Sequence, residues 1–225
     1  MKNEKGLWKF NPSGLYSFVE CKSCFWIEQH YGRKPSIPLR LNDAVDEKLK
    51  ARFDYFRKLN TLPPEILEKL PGYTLFADQK QLDDWRNWRK GLEYVNKSAG
   101  YFLTGALDEI MTDPKGNFVP TDYKSSGDPP KEDKQKYYRL QLHAYALMLE
   151  SLHHKVANEA YLLHYFPKMR SSRSLDMSLI SHVDKVDLNV ANFKKTLEEM
   201  VKFLESDFLG YNEECKTCSW LTKIK

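Results

Sequence analysis

The four cysteines of the chain form two Cys-x-x-Cys pairs, one near each end of its 225 residues. Cys21 and Cys24 make up the first pair, and Cys215 and Cys218 the second. Each pair places two thiolates on one side of a turn, so the two pairs together can complete a tetrahedral site with four sulfur ligands. Such a site would join the N-terminal segment 15–30 to the C-terminal segment 210–220 and would stabilise the fold by restricting the unfolded chain.

The residue types at this site leave its occupant open. Zinc and a [4Fe-4S] cluster both accept four thiolates, and disulfides or four unrelated buried thiols are further interpretations. The sequence contains no apolar run of the roughly 18 residues that a membrane span needs, and its start lacks the apolar core of a signal peptide. We therefore expect a cytoplasmic protein with no membrane partner, in which a reducing environment disfavours disulfides.

Length and composition favour one globular unit. Hydrophobic residues make up 41% of the chain and aromatic residues 13%, which is ordinary for a folded domain. We expect a single domain over residues 1–225, because a chain of this length builds one substantial core. The net charge of +4 permits a nucleic-acid partner without requiring one, since binding depends on local patches.

The spacing of apolar residues predicts an α/β (α+β) fold. Helices are expected from Leu15, over the ranges 41–59, 82–94 and 137–152, and in a last segment over 190–204. Strands are expected over the ranges 101–112, 118–124, 159–168 and 175–183. Pro120 lies inside the second of these strands, where its missing N–H favours an edge or an irregular position. The result is a small mixed β-sheet flanked by helices.

Two aspartates and a lysine lie in the hairpin predicted over 101–124. Side chains alternate along a strand, so Asp122 and Lys124 are expected on one face and Tyr123 on the other. Asp108, on the partner strand, is separated from Asp122 by thirteen residues, enough for two strand arms and a turn. We therefore expect the two carboxylates to converge across the hairpin.

A pair of converging carboxylates predicts a cation between them, because unpaired buried charges are costly. Mg²⁺ and Mn²⁺ prefer oxygen ligands and could polarise a phosphodiester, while Lys124 could orient or deprotonate the attacking water. The alternative is a cross-strand ion pair between Asp108 and Lys124, with Asp122 capping a nearby group. The spacing alone does not decide between these interpretations.

Gln141 and Tyr145 lie four residues apart on the helix predicted after the hairpin, and hence on one helical face. An inward-facing amide and phenol need hydrogen-bond partners, which a phosphate or a metal-bound water would supply. The alternative is a satisfied polar pair at the edge of the helix.

Two further residue sets could contact nucleic acid. The first contains aromatic side chains that could stack on the bases of a single strand, although aromatic residues at helical spacing are more often part of a core: Trp85, Trp88, Tyr94 and Tyr101. The second is a basic loop that could contact phosphates or could simply be solvated: Lys131, Lys134, Lys136 and Arg139.

Three short motifs resemble a known family. The segments "GALDEI", "PTDYKSSG" and "QLHAYALML" resemble successive motifs of the PD-(D/E)XK nuclease superfamily, in particular its RecB-type branch, which includes CRISPR-adaptation exonucleases. The branch pattern Gly-x-x-Asp, Asp-x-Lys and Gln-x-x-x-Tyr is matched by these residues: Gly105, Asp108, Asp122, Lys124, Gln141 and Tyr145. The resemblance implies a restriction-endonuclease-like core.

The resemblance also implies roles for these residues. Asp108 and Asp122 would be metal ligands, the main-chain carbonyl of Tyr123 would be a third ligand, and Lys124 would be the catalytic lysine. Gln141 and Tyr145 would position the substrate or the active-site network.

The sequence departs from the branch at two places. Where the branch usually has a metal-binding His in an early helix, the segment "NDAVDEKL" has Asp46, which either binds the metal or is a solvated helix residue. Many branch members hold a [4Fe-4S] cluster with one N-terminal and three C-terminal cysteines, whereas this chain has two and two. The resemblance thus implies an iron-sulfur cluster, with a structural zinc ion as the alternative.

The function implied by the resemblance is metal-dependent hydrolysis of DNA. The chain would act as an exonuclease or on single-stranded or duplex ends, in DNA repair, recombination or CRISPR-type processing, with a helicase or an integrase as a partner to be tested. The alternatives are a nucleic-acid-binding module that keeps the fold without the chemistry, and an RNA-processing nuclease.

Overall fold

The computed structural model describes residues 2–33, 40–130, 135–169 and 177–223. The strands in these ranges are β1 (Trp8–Phe10), β2 (Thr74–Leu75), β3 (Leu92–Asn96), β4 (Tyr101–Gly105), β5 (Glu109–Thr112), β6 (Phe118–Ser125), β7 (Glu159–Met169) and β8 (Met177–Asp187). The helices are α1 (Tyr16–Glu20), α2 (Lys22–Tyr31), α3 (Arg40–Lys58), α4 (Pro64–Leu67), α5 (Gln79–Arg86), α6 (Gln135–Ser151), α7 (Val190–Leu204) and α8 (Lys216–Leu221).

The larger sheet is mixed and has five strands in the order β2-β5-β6-β7-β8. β6 and β7 are parallel, and α6 connects them, since a parallel pair needs a long crossover. The remaining neighbours are antiparallel, including the β5–β6 hairpin, in which Glu109 faces Thr121. The predicted small mixed sheet flanked by helices is thus confirmed.

The two faces of the larger sheet are covered by different helices. On one face, Val119 and Tyr123 of β6 pack with Leu49 and Phe53 of α3. The opposite face is covered by α6, whose residues 141–149 are all buried. Because side chains alternate along β6, Asp122 lies on the α6 face, where it bonds to that helix.

A smaller sheet has three strands in the order β1-β4-β3. β1 is parallel to β4, with Trp8 opposite Tyr101, and β3 is antiparallel to β4. α6 packs against strands of both sheets, so both sheets contact this one helix. A single domain over residues 1–225 stays a prediction.

The predicted continuous strand over 101–112 is wrong. Tyr101–Gly105 is β4 in the smaller sheet, and the chain then leaves it and enters the larger sheet at Glu109. Asp108 therefore lies at the break between two sheets and shares no strand face with Thr104. Only the part from Glu109 onward forms the hairpin with β6.

The predicted helix over 82–94 is also wrong in its second half. α5 ends at Arg86, and Leu92–Asn96 is a strand instead. The helix ends where Asn87 adopts an extended backbone, and Gly91 has a positive φ of 30° that favours glycine. From Leu92 to Asn96 the exposure alternates with the period of a strand.

The other predicted elements are present, with local differences, and β2, α4 and α8 are further elements that were not predicted. Pro120 lies in the central strand β6 opposite Ile110, at the irregular point between the isolated bridge Phe118–Val156 and the ladder to β7, which begins at Thr121. The N-terminal helix is divided into α1 and α2 by Cys21, whose backbone is extended. β1 was not predicted.

Some of the sequence lies outside this description. Lys131 and Lys134 of the basic loop are outside the described residues, as is the start of the strand predicted over 175–183. Within the described ranges, no helix is both long enough and apolar enough to cross a membrane.

Candidate active site

Asp122 and Lys124 form a buried pair on the α6 face of β6. The Asp122 side chain has no exposed surface, and the Lys124 ammonium contacts its Oδ2 atom. Burial raises the pKa of Asp122 to about 7, and the nearby Asp108 carboxyl adds to this rise, although Lys124 opposes it. Lys124 is thus the one ammonium in contact with Asp122, at a point where a second carboxyl group also lies close.

Asp108 reaches this pair from the break between β4 and β5. Its Oδ2 atom accepts a hydrogen bond of 3.3 Å from the main-chain N–H of Tyr123, and its carboxyl interacts directly with that of Asp122. The predicted convergence of the two acids is present, although Asp108 comes from a connecting segment and not from a strand. The alternative cross-strand pair between Asp108 and Lys124 is replaced by the pair of Asp122 with Lys124.

Both carboxylates also raise the pKa of Lys124. Burial of the ammonium lowers that pKa, but the charges of Asp122 and Asp108 outweigh it. The ammonium also lies 4.7 Å from the centre of the Tyr138 ring on α6. Lys124 is therefore held as a cation beside the two acids.

Gln141 and Tyr145 connect α6 to both acidic segments. The Nε2 atom of Gln141 donates to Oδ1 of Asp122 at 2.9 Å and to the Tyr145 hydroxyl at 2.7 Å. That hydroxyl donates in turn to the main-chain oxygen of Ala106 at 2.9 Å, two residues before Asp108. The helix thus fixes the strand that carries one acid and the segment that carries the other, and the polar pair is buried, not at the helix edge.

Asp46 approaches the site only through Lys50, one helical turn later on α3. The Lys50 ammonium lies 2.7 Å from Oδ2 of Asp46 and 3.3 Å from Oδ1 of Asp108. Burial lowers the pKa of Lys50, but the charges of Asp108 and Asp46 raise it by a larger amount, so its pKa lies above the ordinary value. Lys50 was missed by the sequence analysis, although its position four residues after Asp46 would have placed it on the same helical face.

A network of buried charges supports the hairpin from its other face. Glu109 is fully buried and accepts hydrogen bonds from Arg57 at 2.7 and 2.9 Å, from Arg86 at 3.1 Å and from the Tyr123 hydroxyl at 2.8 Å. The Nε atom of Arg86 also donates to the main-chain oxygen of Asp108 at 2.7 Å. This network was not predicted from the sequence, and its Arg86 holds the peptide of Asp108 in place.

Gly105, the first residue of the matched pattern, is needed for space. A Cβ atom at this position would lie 2.7 Å from Cδ of Pro12, in the short 3₁₀ turn Pro12–Gly14. Opposite it, a Cβ on Gly91 would lie 2.6 Å from the carbonyl oxygen of Gly105. The backbone can therefore pack this closely at the end of β4 only if neither Gly105 nor Gly91 carries a side chain.

The four cysteines converge, as the sequence predicts. Their sulfur atoms all lie within 4.8 Å of one another, with contacts of 3.7 Å (Cys21–Cys218), 3.6 Å (Cys24–Cys215) and 3.5 Å (Cys24–Cys218). All four are free thiols. They form the one such group of three or more His, Cys, Asp or Glu ligands in the described ranges, so Asp46 is not gathered as closely with Asp108 and Asp122.

The protein environment shifts the cysteine pKa values in opposite directions. The main-chain N–H of Cys218 lowers the pKa of Cys215 to about 7, because it stabilises the thiolate at the start of α8. Burial and the neighbouring thiols raise the pKa of Cys24. A bound cation would relieve this crowding of thiolates, so the donor set fits a metal.

A comparison with known protein families bears on the acidic site. A model of the PD-(D/E)XK nuclease superfamily matches residues 26–222, a range that includes every acidic-site residue above but not Cys21 or Cys24. A solved structure described as "Crystal structure of SSO0001" is 15% identical, with a TM-score of 0.44, over 99% of this chain and 86% of that chain. No curated protein matches the chain.

Proposed function

Because the chain belongs to the PD-(D/E)XK nuclease superfamily, we propose that it is a metal-dependent deoxyribonuclease that hydrolyses phosphodiester bonds at DNA ends. The observation that carries the proposal is the buried Asp122 carboxylate, which contacts Lys124 and meets the Asp108 carboxyl at the same place. The matching order of motifs supports exonucleolytic action in repair, recombination or CRISPR-type processing.

The acidic site offers the ligands that a hard divalent cation prefers. Asp108 and Asp122 supply carboxylate oxygens, and the main-chain carbonyl of Tyr123 is the proposed third ligand, since the N–H of this residue already bonds to Asp108. Asp46 is proposed as a further ligand on α3. When bound, Mg²⁺ or Mn²⁺ supplies Lewis-acid polarisation of the phosphodiester and a lower pKa for the attacking water.

The remaining residues act on the substrate through charge and position. Lys124, held as a cation, is placed to offset the charge that develops on the phosphate and to orient the attacking water. Gln141 holds Asp122 in one orientation through its 2.9 Å hydrogen bond. Tyr145 fixes Gln141 from the other side and keeps the segment before Asp108 in register.

The direct test is hydrolysis of an end-labelled single-stranded DNA with Mg²⁺ or Mn²⁺. Removing one positioned charge-stabilising group typically lowers kcat by about 10²- to 10³-fold, and we expect this loss for Lys124→Ala. Lys97→Ala is the matched control, because Lys97 is an exposed lysine in the turn between β3 and β4. Equal unfolding temperatures of the two variants would exclude misfolding as the cause of the loss.

The other outcomes of this assay separate the alternatives. Binding without any cleavage by the intact chain would support the non-catalytic module, and preferential cleavage of a matched RNA would support an RNA-processing nuclease. Activity of the isolated chain would show that neither a helicase nor an integrase is required.

We also propose that the four thiolates hold a structural metal. A single tetrahedral zinc ion with bonds of about 2.3 Å spaces its sulfur ligands about 3.8 Å apart, close to the 3.5–3.7 Å contacts here. A [4Fe-4S] cluster, which the resemblance implies, attaches each thiolate to a different iron and needs a wider spacing. The spacing thus supports zinc.

Metal analysis of protein purified without oxygen separates the two cofactors. One zinc per chain in a colourless protein is the expected result, and a brown protein with about four irons would instead establish the cluster. Cys218→Ser should abolish the binding of either one, since Cys218 is a buried member of the group.

A further inference from the structure

A groove opens beside the acidic site, at the end of the smaller sheet. Its volume is about 330 Å³, and its lining includes Lys9, Asn11, Ser13, Trp88, Ala106 and Tyr145. It borders the acidic site directly, because the Tyr145 hydroxyl is joined to Asp122 by two hydrogen bonds through Gln141. The groove is therefore one path along which a nucleic-acid strand bound at the acidic site could continue.

Trp88 stands out from the other aromatic residues considered above. Trp85 and Tyr101 are buried in the core and Tyr94 packs partly against it, so those three are accounted for by packing. Trp88 is 77% exposed, and it is the one aromatic residue of this set that lines the groove beside the acidic site. The structure therefore separates one candidate stacking residue from three core residues.

The turn that carries Trp88 is well fixed. The Asn87 side chain accepts the N–H of Arg89 at 2.9 Å, and the Asn87 main-chain oxygen accepts the N–H of Gly91 at 2.6 Å. The Arg89 guanidinium lies 4.9 Å from the centre of the Trp88 ring. An indole held in place needs little ordering when a base stacks on it.

The charge around the groove suits a polyanion. The residues that line it include the cation Lys9 and no carboxylate. The Arg89 guanidinium, beside the Trp88 ring, adds a second cation, and no ion pair of either Lys9 or Arg89 with an acid is found in the described part of the chain. By contrast, a cavity of about 530 Å³ near the β5–β6 turn is lined by three acids and two lysines: Asp113, Glu159, Asp187, Lys115 and Lys185.

We propose that this groove binds unpaired nucleotides of the strand that is cut, with a base stacked on Trp88 and phosphates beside Lys9 and Arg89. This proposal rests on the proposed nuclease function and adds the substrate class: a single strand. Inside a duplex both faces of a base are covered by its neighbours, so an exposed indole can stack fully only on an unpaired base. The groove would then select strands that are already separated.

The test begins with binding, which does not depend on cleavage. The affinity for a labelled 12-nucleotide DNA strand is measured by fluorescence anisotropy without divalent metal, beside a blunt duplex of the same sequence. Since stacking on one base is worth about 1–3 kcal/mol, we expect Trp88→Ala to weaken single-strand binding by roughly 5- to 100-fold. Trp88→Phe, which keeps an aromatic ring, should lose less, and duplex binding should change by less than about twofold in either variant.

Lys9→Ala tests the phosphate contact. It should weaken single-strand binding and reduce the slope of log K against log salt concentration by about 0.7, the value for one phosphate contact on a single strand.

Trp220→Ala is the control matched to Trp88→Ala, because Trp220 on α8 is also an exposed tryptophan and lies outside the groove. An unchanged affinity is expected for this control.

The cleavage readout separates failure of this proposal from failure of the nuclease function. For Trp88→Ala, KM for the single strand should rise by a larger factor than kcat falls, because the stacked base contributes to substrate binding. A strand affinity and KM equal to those of the unaltered chain, or an equal loss for duplex and single strand, would overturn the groove proposal while the Lys124 result stands. If Trp88→Ala weakens single-strand binding but the unaltered chain never cleaves DNA, the groove proposal stands and the nuclease function is overturned.

Discussion

Two fully buried carboxylates lie on opposite faces of the β5–β6 hairpin, and their surroundings differ. On the α3 face, Glu109 receives hydrogen bonds from two guanidinium groups and from a tyrosine hydroxyl. On the α6 face, Asp122 receives one amide and one ammonium, and it meets a second carboxyl. The same hairpin thus holds one acid that is fully neutralised and one that is not.

The difference separates a structural acid from a functional one. A buried carboxylate that is fully paired holds the backbone and has no capacity left for a ligand. A buried carboxylate with too little positive charge around it has a raised pKa and gains from binding a cation. Burial alone would not have distinguished Glu109 from Asp122, whereas the count of charged partners does.

The largest expected effect is on stability, at Glu109. Glu109→Ala removes the buried acid that bonds both Arg57 and Arg86 and leaves only the partly exposed Asp54 shared between them. Breaking a buried pair typically costs about 3–5 kcal/mol. The free energy of unfolding, measured with urea, should fall by this amount. Glu93→Ala, at an exposed position of β3, is the control and should change it by less than about 0.5 kcal/mol. If both variants unfolded alike, the structural role of Glu109 would be wrong.

A somewhat smaller effect is expected on the pH dependence of stability, through Asp122. Its pKa of about 7 in the folded state exceeds the ordinary value of 3.8, so between these pH values the folded chain keeps a proton that the unfolded chain releases. Stability from this group is therefore present below about pH 4 and is lost as pH rises towards 7, by up to about 4 kcal/mol without divalent metal.

Comparison with Asp122→Asn isolates this contribution. The variant cannot lose the proton, so the difference in unfolding free energy between it and the unaltered chain should grow from pH 4 to pH 8. Added Mn²⁺ should reduce that difference at pH 8, because a cation stabilises the ionised carboxylate. Parallel stability curves for the two proteins would contradict the raised pKa of Asp122.

The smallest expected effect on stability is at Asp46, which lies on the α3 side of the site. Its partly exposed pair with Lys50 is worth only about 0.3–0.5 kcal/mol, so Asp46→Ala should barely change unfolding. If Asp46 also binds the metal, the Mn²⁺ concentration needed for half-maximal hydrolysis should rise roughly tenfold. An unchanged requirement for Mn²⁺ would make Asp46 a solvated helix residue.

The sequence predicted those parts of the fold that have a clear local period. The amphipathic helices α3 and α7 and the alternation along β6 follow from the spacing of residues such as Phe53, Leu197 and Asp122. The face on which each β6 side chain lies was predictable for the same reason. The spacing predicted that Asp108 and Asp122 converge, and the resemblance of the motifs implied that Lys124 and Gln141 join them.

The remaining parts depend on contacts between distant segments. β1 has three residues and pairs with β4 more than ninety positions later, so no local period indicates it. The break at Asp108 and the network around Glu109 could not be predicted because neighbouring residues in "GALDEI" belong to different sheets and different faces. Lys50 was missed because its two acidic neighbours come from α3 and from that break.

The cysteine group has a consequence for how the protein is made. Its first two thiols leave the ribosome early, whereas the other two follow only after about 190 further residues have been translated. The nascent chain thus carries Cys21 and Cys24 without their partners during most of its synthesis, and a chain that stops before Cys215 never gains the remaining thiols. A metal that needs all four thiolates could therefore bind only after translation has passed Cys218.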